Sequence, residues 1–456
     1  MKICERGLNW IQVIDELGDV NVCSWRHKAK IGNLLKDSFY DVYHGEDAQN
    51  IREELIAGNY SNCWVDNCPF LSNHSIDRHC VEINEIPEYP NTLSLSYEGK
   101  CNYHCTCCSS HSHMEMGKNK DWSENYKKIE DELRKVLPHI KCISAHGRGE
   151  LFTSPSIIKM LGEWKPIAPP NECFVDLETN GSLFNEKNWE KIANLGQYHV
   201  SVYITVMSFE EQTYQYLSGT SLPVDNIVKN LHFVKGLREE GIINHVEIGT
   251  VVQERNFREM PEFVSRCLDE FAADSVRLRS VFVFRDAPMD YNVAWFSDVR
   301  NPHHPYHKEY LQVMKNPIFD NPKVYKWSGE LESSLGEHPG IQAERQLRDI
   351  KDKYDNLLIR CMVPKLKGKN IIIYGAGVVG QMVAKALMED SQSFGKICFA
   401  ESEKTAEEKC GLPVYALDDL VGTDATVVIA VRERYRKPMR ERAEQLGFYD
   451  ILAEEF

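Results

Sequence analysis

The chain has 456 residues, more than one ordinary domain holds and enough for about two to four. Its apolar fraction of 42% supports packed cores, and its charged fraction of 27% is that of a soluble globular protein. A formal net charge of −15 excludes a phosphate-backbone binder, which needs a concentrated basic face, so no nucleic-acid partner is expected. The opening "MKICERGLNW" holds no apolar run of signal-peptide length. The longest apolar stretch, 370 to 388, is broken by Asn370, Gln381 and Lys385 and reads as a buried strand, a turn and a helix. No membrane partner is therefore expected, and the location is read as cytoplasmic. In that compartment the fifteen cysteines stay reduced, so clustered ones point to metal and scattered ones to packing.

Taken in chain order, residues 1–88 form a cysteine-rich module with Cys4, Cys23, Cys63, Cys68 and Cys80. From residue 92 the pattern alternates strand and helix. Strands are expected at "TLSLSYE", "HIKCISAHG", "ECFVDLETNG", "YHVSVYITVMS", "HVEIGTVVQ" and "DSVRLRSVFVF", with amphipathic stretches such as "SENYKKIEDELRKVL" between them. Six such repeats over 89–286 imply parallel strands with right-handed crossovers, a partial (β/α)6 TIM-like barrel with ligands at the C-terminal strand ends. Residues 287–364, rich in Pro, His and Asn, read as a connector with short helices. Residues 365–456 open a separate strand–turn–helix unit. The fold class is α/β throughout. Cys142, Cys173, Cys267, Cys361, Cys398 and Cys410 stand singly and read as small core residues, and "NPHHPYHKEY" reads as exposed.

"CNYHCTCC" follows the first barrel strand and spaces Cys101, Cys105 and Cys108 as C-x3-C-x2-C. Three thiolates on one tight loop hold three irons of a [4Fe–4S] cube and leave the fourth iron open. Zinc is the plainer alternative, but zinc sites pair two short-spaced couples, and no second couple stands nearby. The spacing and its place resemble the signature of radical S-adenosylmethionine (radical SAM) enzymes. "AHGRGELF" resembles the family's Gly-Gly-Glu-Pro segment, which implies that Gly147, Gly149 and Glu150 contact the SAM amino group. Arg148 and Leu151 depart from it. "LETNGSLF" resembles the Thr-Asn-Gly turn. "SVYITVMSFEEQTYQYLSG" resembles the fourth-strand segment, with Thr205 and Met207 at its Ser and Asp places, so Thr205 is the implied cofactor-side residue there. "VEIGTVVQERN" resembles the fifth strand, whose apolar edge, Val251 or Val252, flanks adenine. The resemblance implies a barrel of the radical SAM type with a SAM-binding [4Fe–4S] cluster. It further implies a low-potential electron donor of flavodoxin or ferredoxin type. Reductive cleavage of SAM to a 5′-deoxyadenosyl radical would then abstract hydrogen from an unactivated C–H, with no side chain acting as a nucleophile. Cys107, beside the last ligand, is expected to be a neighbour and no ligand.

In the N-terminal module, thirteen residues separate Cys4 from Gly18, and four more separate Gly18 from Cys23. With the "CWVDNCPF" pair this resembles the SPASM auxiliary-cluster module, whose C-x(9–15)-G-x4-C hairpin leads to a closing cysteine pair. The resemblance implies one auxiliary [4Fe–4S] cluster held by Cys4, Cys23, Cys63 and Cys68, with Cys80 as a rival fourth ligand. Here the module precedes the barrel, whereas it normally follows it.

"KNIIIYGAGVVGQMVAKALMED" sets Gly375, Gly377 and Gly380 in G-x-G-x-x-G register between strand and helix, and Glu401 follows at a ribose-binding interval. This is a Rossmann-like unit for which a nucleotide or nucleotide-sugar is the expected ligand; an empty structural domain is the alternative. The resulting expectation is a radical SAM enzyme acting on a peptide, in the manner of ribosomal peptide maturases. A sugar or nucleotide-sugar substrate is the runner-up. A catalytically inactive metal- and nucleotide-binding protein is the reading from another class.

Overall fold

A computed structural model describes residues 1–27, 29–65, 68, 70–72, 74–108, 121–146, 148–281, 295–326, 362–388, 394–431 and 433–453. Gly147 and Cys361 lie outside the described residues. The described strands are β1 (Lys2–Cys4), β2 (Trp10–Val13), β3 (Asp19–Val22), β4 (Lys30–Asn33), β5 (Cys80–Glu82) and β6 (Thr92–Leu95). Next come β7 (Cys142–His146), β8 (Phe174–Thr179), β9 (His199–Thr205), β10 (His245–Val252), β11 (Ser275–Ser280) and β12 (Val324–Lys326). The C-terminal unit holds β13 (Ile371–Tyr374), β14 (Ile397–Glu401), β15 (Glu408–Lys409), β16 (Leu412–Ala416), β17 (Thr426–Ile429) and β18 (Ile451–Leu452).

The six barrel strands expected from the sequence are β6 to β11. Each pairs in parallel with its successor, and the sheet order follows the chain order with no reversal. Helices cross over between them. Ser123–Val136 is typical: Ile129, Leu133 and Val136, spaced by four and three, are buried, while Glu124 begins it and Arg134 and Lys135 end it. Along β9 the pattern alternates, with Val200, Val202 and Ile204 under the helices and Ser201, Tyr203 and Thr205 on the opposite, concave face.

Two features of this sheet were not legible in the sequence. At one end β12, from the expected connector, pairs in parallel with β11 through Val276↔Val324. At the other end the N-terminal module joins the same sheet. β2 runs parallel to β6 through Ile11↔Leu93, and β3 and β4 complete a ten-stranded sheet among the described residues. Ile3, Leu8, Ile11 and Val20 accordingly share one apolar core with Leu93, Ile143 and Val202. The C-terminal unit has cores of its own on the two faces of its sheet. Its parallel strands run in the order β16-β14-β13-β17-β18, with the switch of direction beside β13, as expected of a Rossmann-like unit.

The connector also corrects the reading of its histidines. His304 is buried, its Nε2 2.7 Å from the Phe296 carbonyl, and burial depresses its pKa to about 4. His307 Nδ1 lies 3.0 Å from the Val299 carbonyl. Among the scattered cysteines, Cys173 and Cys267 are buried, Cys142 and Cys398 are half-buried, and Cys410 is exposed. Among the described residues no helix is long and apolar enough to cross a membrane.

Candidate functional site

All the barrel strands end on one edge, so the loops after β6, β7, β8, β9 and β10 meet there. The loop after β6 carries Cys101, Cys105 and Cys108. It hangs on the C-terminal end of helix Glu211–Ser218: His104 N donates to Ser218 O and Thr106 N to Leu217 O, each at 2.9 Å. Gly219 caps that helix in the left-handed region, φ 58°, and a Cβ there would strike the His104 carbonyl. Cys108 N donates to Cys105 O at 3.1 Å, which tightens the loop around its last two thiols. Burial pushes the Cys101 thiol up to about 12, and the nearby Glu150 carboxylate and Cys108 sulfur act in the same direction. Cys107 is half-buried, as are its three neighbours in the motif.

Residues outside the recognised motif fix this loop. Asn180, after β8, donates from Nδ2 to Asn102 Oδ1 at 3.0 Å and towards Cys101 Sγ at 3.9 Å. Asn102 in turn donates to Ser182 Oγ at 2.9 Å. At the end of β10, Gln253 is wholly buried; its Oε1 accepts from Thr106 Oγ1 at 3.3 Å, and its Nε2 has no partner. An orphaned buried donor on a residue bonded to the thiol-bearing loop fits a cluster with acceptor sulfurs. The sequence signal for Asn180 was the Thr-Asn-Gly turn. For Gln253 there was none beyond its position at a strand end.

After β7, Gly149 packs so closely on Lys100 that a Cβ would drive into the Lys100 carbonyl, and Glu150 N donates to that oxygen at 2.6 Å. Glu150 is wholly buried. Its carboxylate accepts from Thr179 Oγ1 at 2.5 Å, Asn180 N at 2.7 Å and Phe152 N at 3.3 Å. As placed, it ties the loops after β7 and β8 together beside Cys101, and burial raises its pKa. Upstream, Glu98 is buried, and its Oε2 accepts from Ile157 N at 3.0 Å at the start of helix Pro155–Glu163. Burial lifts its pKa to about 7. Thr205 is half-buried at the end of β9, opposite Gly249, and Val252 is buried at the end of β10. Met207 is buried too, and its carbonyl accepts from Asn256 Nδ2 at 2.8 Å.

The concave face is polar. Arg277 grips Glu247 through two contacts of 2.6 and 2.9 Å, and Ser275 Oγ donates to the same carboxylate at 2.9 Å. Arg279 lies over the Tyr203 ring at 4.2 Å and meets Glu178 at 3.4 Å. Both arginines are thus engaged with protein carboxylates.

In the N-terminal module the thiols come together from distant positions. Cys4 ends β1 directly opposite Cys80 on β5. Met1 and Ile83 exchange two hydrogen bonds, of 2.7 and 2.9 Å, so by alternation Cys4 and Cys80 form a non-hydrogen-bonded pair, the closer kind for side chains. Burial raises the Cys4 thiol, and the sulfurs of Cys80 and Cys68 act in the same direction. Burial pushes Cys23 up to about 11, with Cys4 and Cys68 adding to it. It raises Cys63 as well, opposed by Arg26 and reinforced by Cys68. The Cys68 sulfur thus bears electrostatically on Cys4, Cys23 and Cys63. Cys80 flanks Cys4 and lies 3.8 Å from the Tyr60 hydroxyl. Arg26, buried, pairs with Glu54 and aims Nη1 at Cys63 Sγ from 3.7 Å. Trp25 N donates to Cys23 Sγ at 3.5 Å. An all-thiol donor set with hydrogen bonds to its sulfurs suits an iron–sulfur cluster. Among the described residues no group of three or more His, Cys, Asp or Glu is gathered as a single-ion site.

At the C-terminal glycine turn, Gly375 takes φ 114°, and a Cβ on Gly380 would collide with the Gly375 carbonyl. Nothing crowds Gly377. Glu401 is engaged: it accepts from Thr405 N at 2.9 Å, Thr405 Oγ1 at 2.6 Å and Lys409 Nζ at 2.8 Å.

Residues 4–69 match the family model of SPASM, an iron–sulfur cluster-binding domain. The match starts at Cys4 and ends one residue past Cys68, leaving Cys80 outside. No curated protein matches the chain. Among solved structures, Streptococcus suis SuiB bound to S-adenosylmethionine overlaps 70% of this chain and 71% of its own, at 16% identity and a TM-score of 0.36. Methylornithine synthase PylB overlaps 57% and 81%, at 11% identity and a TM-score of 0.32. The radical S-adenosylmethionine methyltransferase TsrM from Kitasatospora setae overlaps 42% and 37%, at 15% identity and a TM-score of 0.29.

Proposed function

We propose that the chain is a radical SAM enzyme with an N-terminally placed auxiliary-cluster module, acting on an unactivated C–H of a peptide. One observation carries the reading. The C-x3-C-x2-C loop lies at the C-terminal edge of six parallel strands, against the loops that hold Gly149, Glu150 and Asn180, in a chain whose residues 4–69 are a SPASM domain. In this reading Cys101, Cys105 and Cys108 hold the SAM-binding [4Fe–4S] cluster, and Cys4, Cys23, Cys63 and Cys68 hold the auxiliary one. The bound cluster and SAM supply one-electron cleavage to a 5′-deoxyadenosyl radical, with the electron coming from a flavodoxin- or ferredoxin-type donor.

The chain's own residues bind, orient and exclude water. Asn180 and Gln253 fix the cluster loop, and Glu150 fixes the two loops beside it. The ion-paired face of Glu178, Tyr203, Glu247, Arg277 and Arg279 offers a polar substrate hydrogen-bonding partners without an unpaired buried charge. The peptide class is supported by the SPASM domain, a companion of peptide-modifying enzymes. A sugar or nucleotide-sugar is the second reading, favoured by the glycine turn of the C-terminal unit and weakened by the engaged Glu401.

Anaerobic reconstitution with iron and sulfide, followed by dithionite and SAM, tests the reaction class. The expected result is a brown protein with about eight irons that releases 5′-deoxyadenosine. No such product, with about four irons or fewer bound, would sink the enzyme reading and leave the inactive binding protein.

A further inference from the structure

Arg148 interrupts the glycine segment between Gly147 and Gly149, and the structure gives that departure a partner. Its side chain is 20% exposed, and Nη1 lies 3.7 Å from Asp15 Oδ2 and 3.7 Å from Glu16 Oε2. Both acids sit in the turn between β2 and β3, 19% and 14% exposed. That turn is stiff. Asp15 Oδ1 accepts from Leu17 N at 3.1 Å and Asp19 N at 3.3 Å, and Asn33 Nδ2 donates to Leu17 O at 2.7 Å. Gly18 takes φ 78°, a conformation that favours glycine, and it is the glycine of the Cys4-to-Cys23 hairpin. Asn125 Nδ2 holds the turn from the barrel side, donating to Glu16 O at 2.9 Å. On its other flank Arg148 adjoins Gly149 and Glu150, which are pinned to Lys100, the residue before Cys101.

One guanidinium therefore stands between the hairpin of the auxiliary-cluster module and the loop beside the barrel thiols. Two carboxylates against one cation in a partly buried setting favour arginine's fork over a glycine's mobility. We infer that Arg148 is a positioning residue: it clamps the loop of Gly149 and Glu150 onto the Asp15–Glu16 turn, so that SAM affinity at the barrel depends on the module's hairpin. The inference rests on the radical SAM reading for its ligand, but the clamp itself does not.

The test uses the full chain reconstituted anaerobically, with SAM binding measured by calorimetry, iron measured by assay, and hydrogen exchange followed over residues 12–20 and 148–154. Arg148→Gln and the double variant Asp15→Asn/Glu16→Gln should each weaken SAM binding by about tenfold, within the usual range for coupled sites, with iron unchanged. Combining all three changes should cost no more than either set alone, and Arg148→Lys should recover part of the loss. Unchanged affinity in Arg148→Gln, or fully additive losses, overturns the inference. If the wild-type protein carries its full iron yet binds no SAM, the radical SAM reading fails and exchange decides the clamp. Arg148→Gln must then still speed exchange in both segments, and unchanged exchange overturns it.

Discussion

The two groups of thiols are built in opposite ways. Cys101, Cys105 and Cys108 span eight residues of one loop, and the loop's shape comes from hydrogen bonds to a helix end and to Asn180. Cys4, Cys23, Cys63 and Cys68 span sixty-five residues, spread over a hairpin and a later turn that pack on one core. In the proposed reading the first group would take its cluster on a local loop, whereas for the second, metal binding would be coupled to the folding of the module. The same contrast explains why one motif is recognisable at a glance and the other only as a spacing.

Breaking each group should therefore have different consequences. The largest effect is expected from Cys108→Ala, which removes one of three loop ligands. Iron should fall from about eight to about four per chain and 5′-deoxyadenosine formation should vanish, while calorimetry shows the melting temperature of the metal-free protein unchanged. Cys63→Ala should also remove about half the iron, but here the reconstituted protein should melt several degrees lower, because a structural cluster contributes folding energy directly. Cys107→Ala and Cys80→Ala should leave the iron in place. Loss of a cluster in either would redraw the ligand set, and for Cys80 would make it the fourth auxiliary ligand in place of Cys68.

Two smaller effects sharpen the comparison on the barrel side. Gly149→Ala forces a methyl into the Lys100 carbonyl, and denaturant unfolding should show a loss of about 3 kcal/mol. Glu98→Gln tests the buried carboxyl three residues before Cys101. Burial lifts its folded pKa to about 7, above the ordinary carboxyl value of 4.5, so any stability it contributes is present below pH 4.5 and lost as pH rises through 7. The variant should match the wild type near pH 4.5 and exceed it at pH 8 by roughly 3 kcal/mol at most. Equal pH dependence of the two in unfolding experiments would show that Glu98 stays ionised.

Six barrel strands, their order and the glycine turn of the C-terminal unit were legible because each is a local pattern: period-two apolar runs, amphipathic helices and fixed glycine spacing. Partner choice across the chain was not. Nothing in "WIQV" says that β2 lies beside β6 in place of closing a separate module, and nothing in "VYK" marks a strand within a proline-rich connector. Buried supports were hidden for the same reason. His304, Gln253 and Arg26 are ordinary polar residues until the fold removes them from water. The departures Arg148 and Thr205 read as losses in one sequence, yet Arg148 gains two acidic partners that lie more than 130 residues away.

The parallel pairing of β2 with β6 has one more consequence, which concerns solubility and not catalysis. The first strand of an open barrel presents a row of unsatisfied amide and carbonyl groups, a ready template for another chain. Here the N-terminal hairpin occupies that row, and among the described residues the edge moves out to β4, a four-residue strand with Lys30 at its start and an irregularity in its register with β3. Such an edge is short, charged and bent, which are the usual guards against strand addition. A truncation that discards residues 1–88 would thus not simply delete the candidate auxiliary ligands. It would uncover the longer sheet's open flank and turn a well-behaved barrel into a self-associating one.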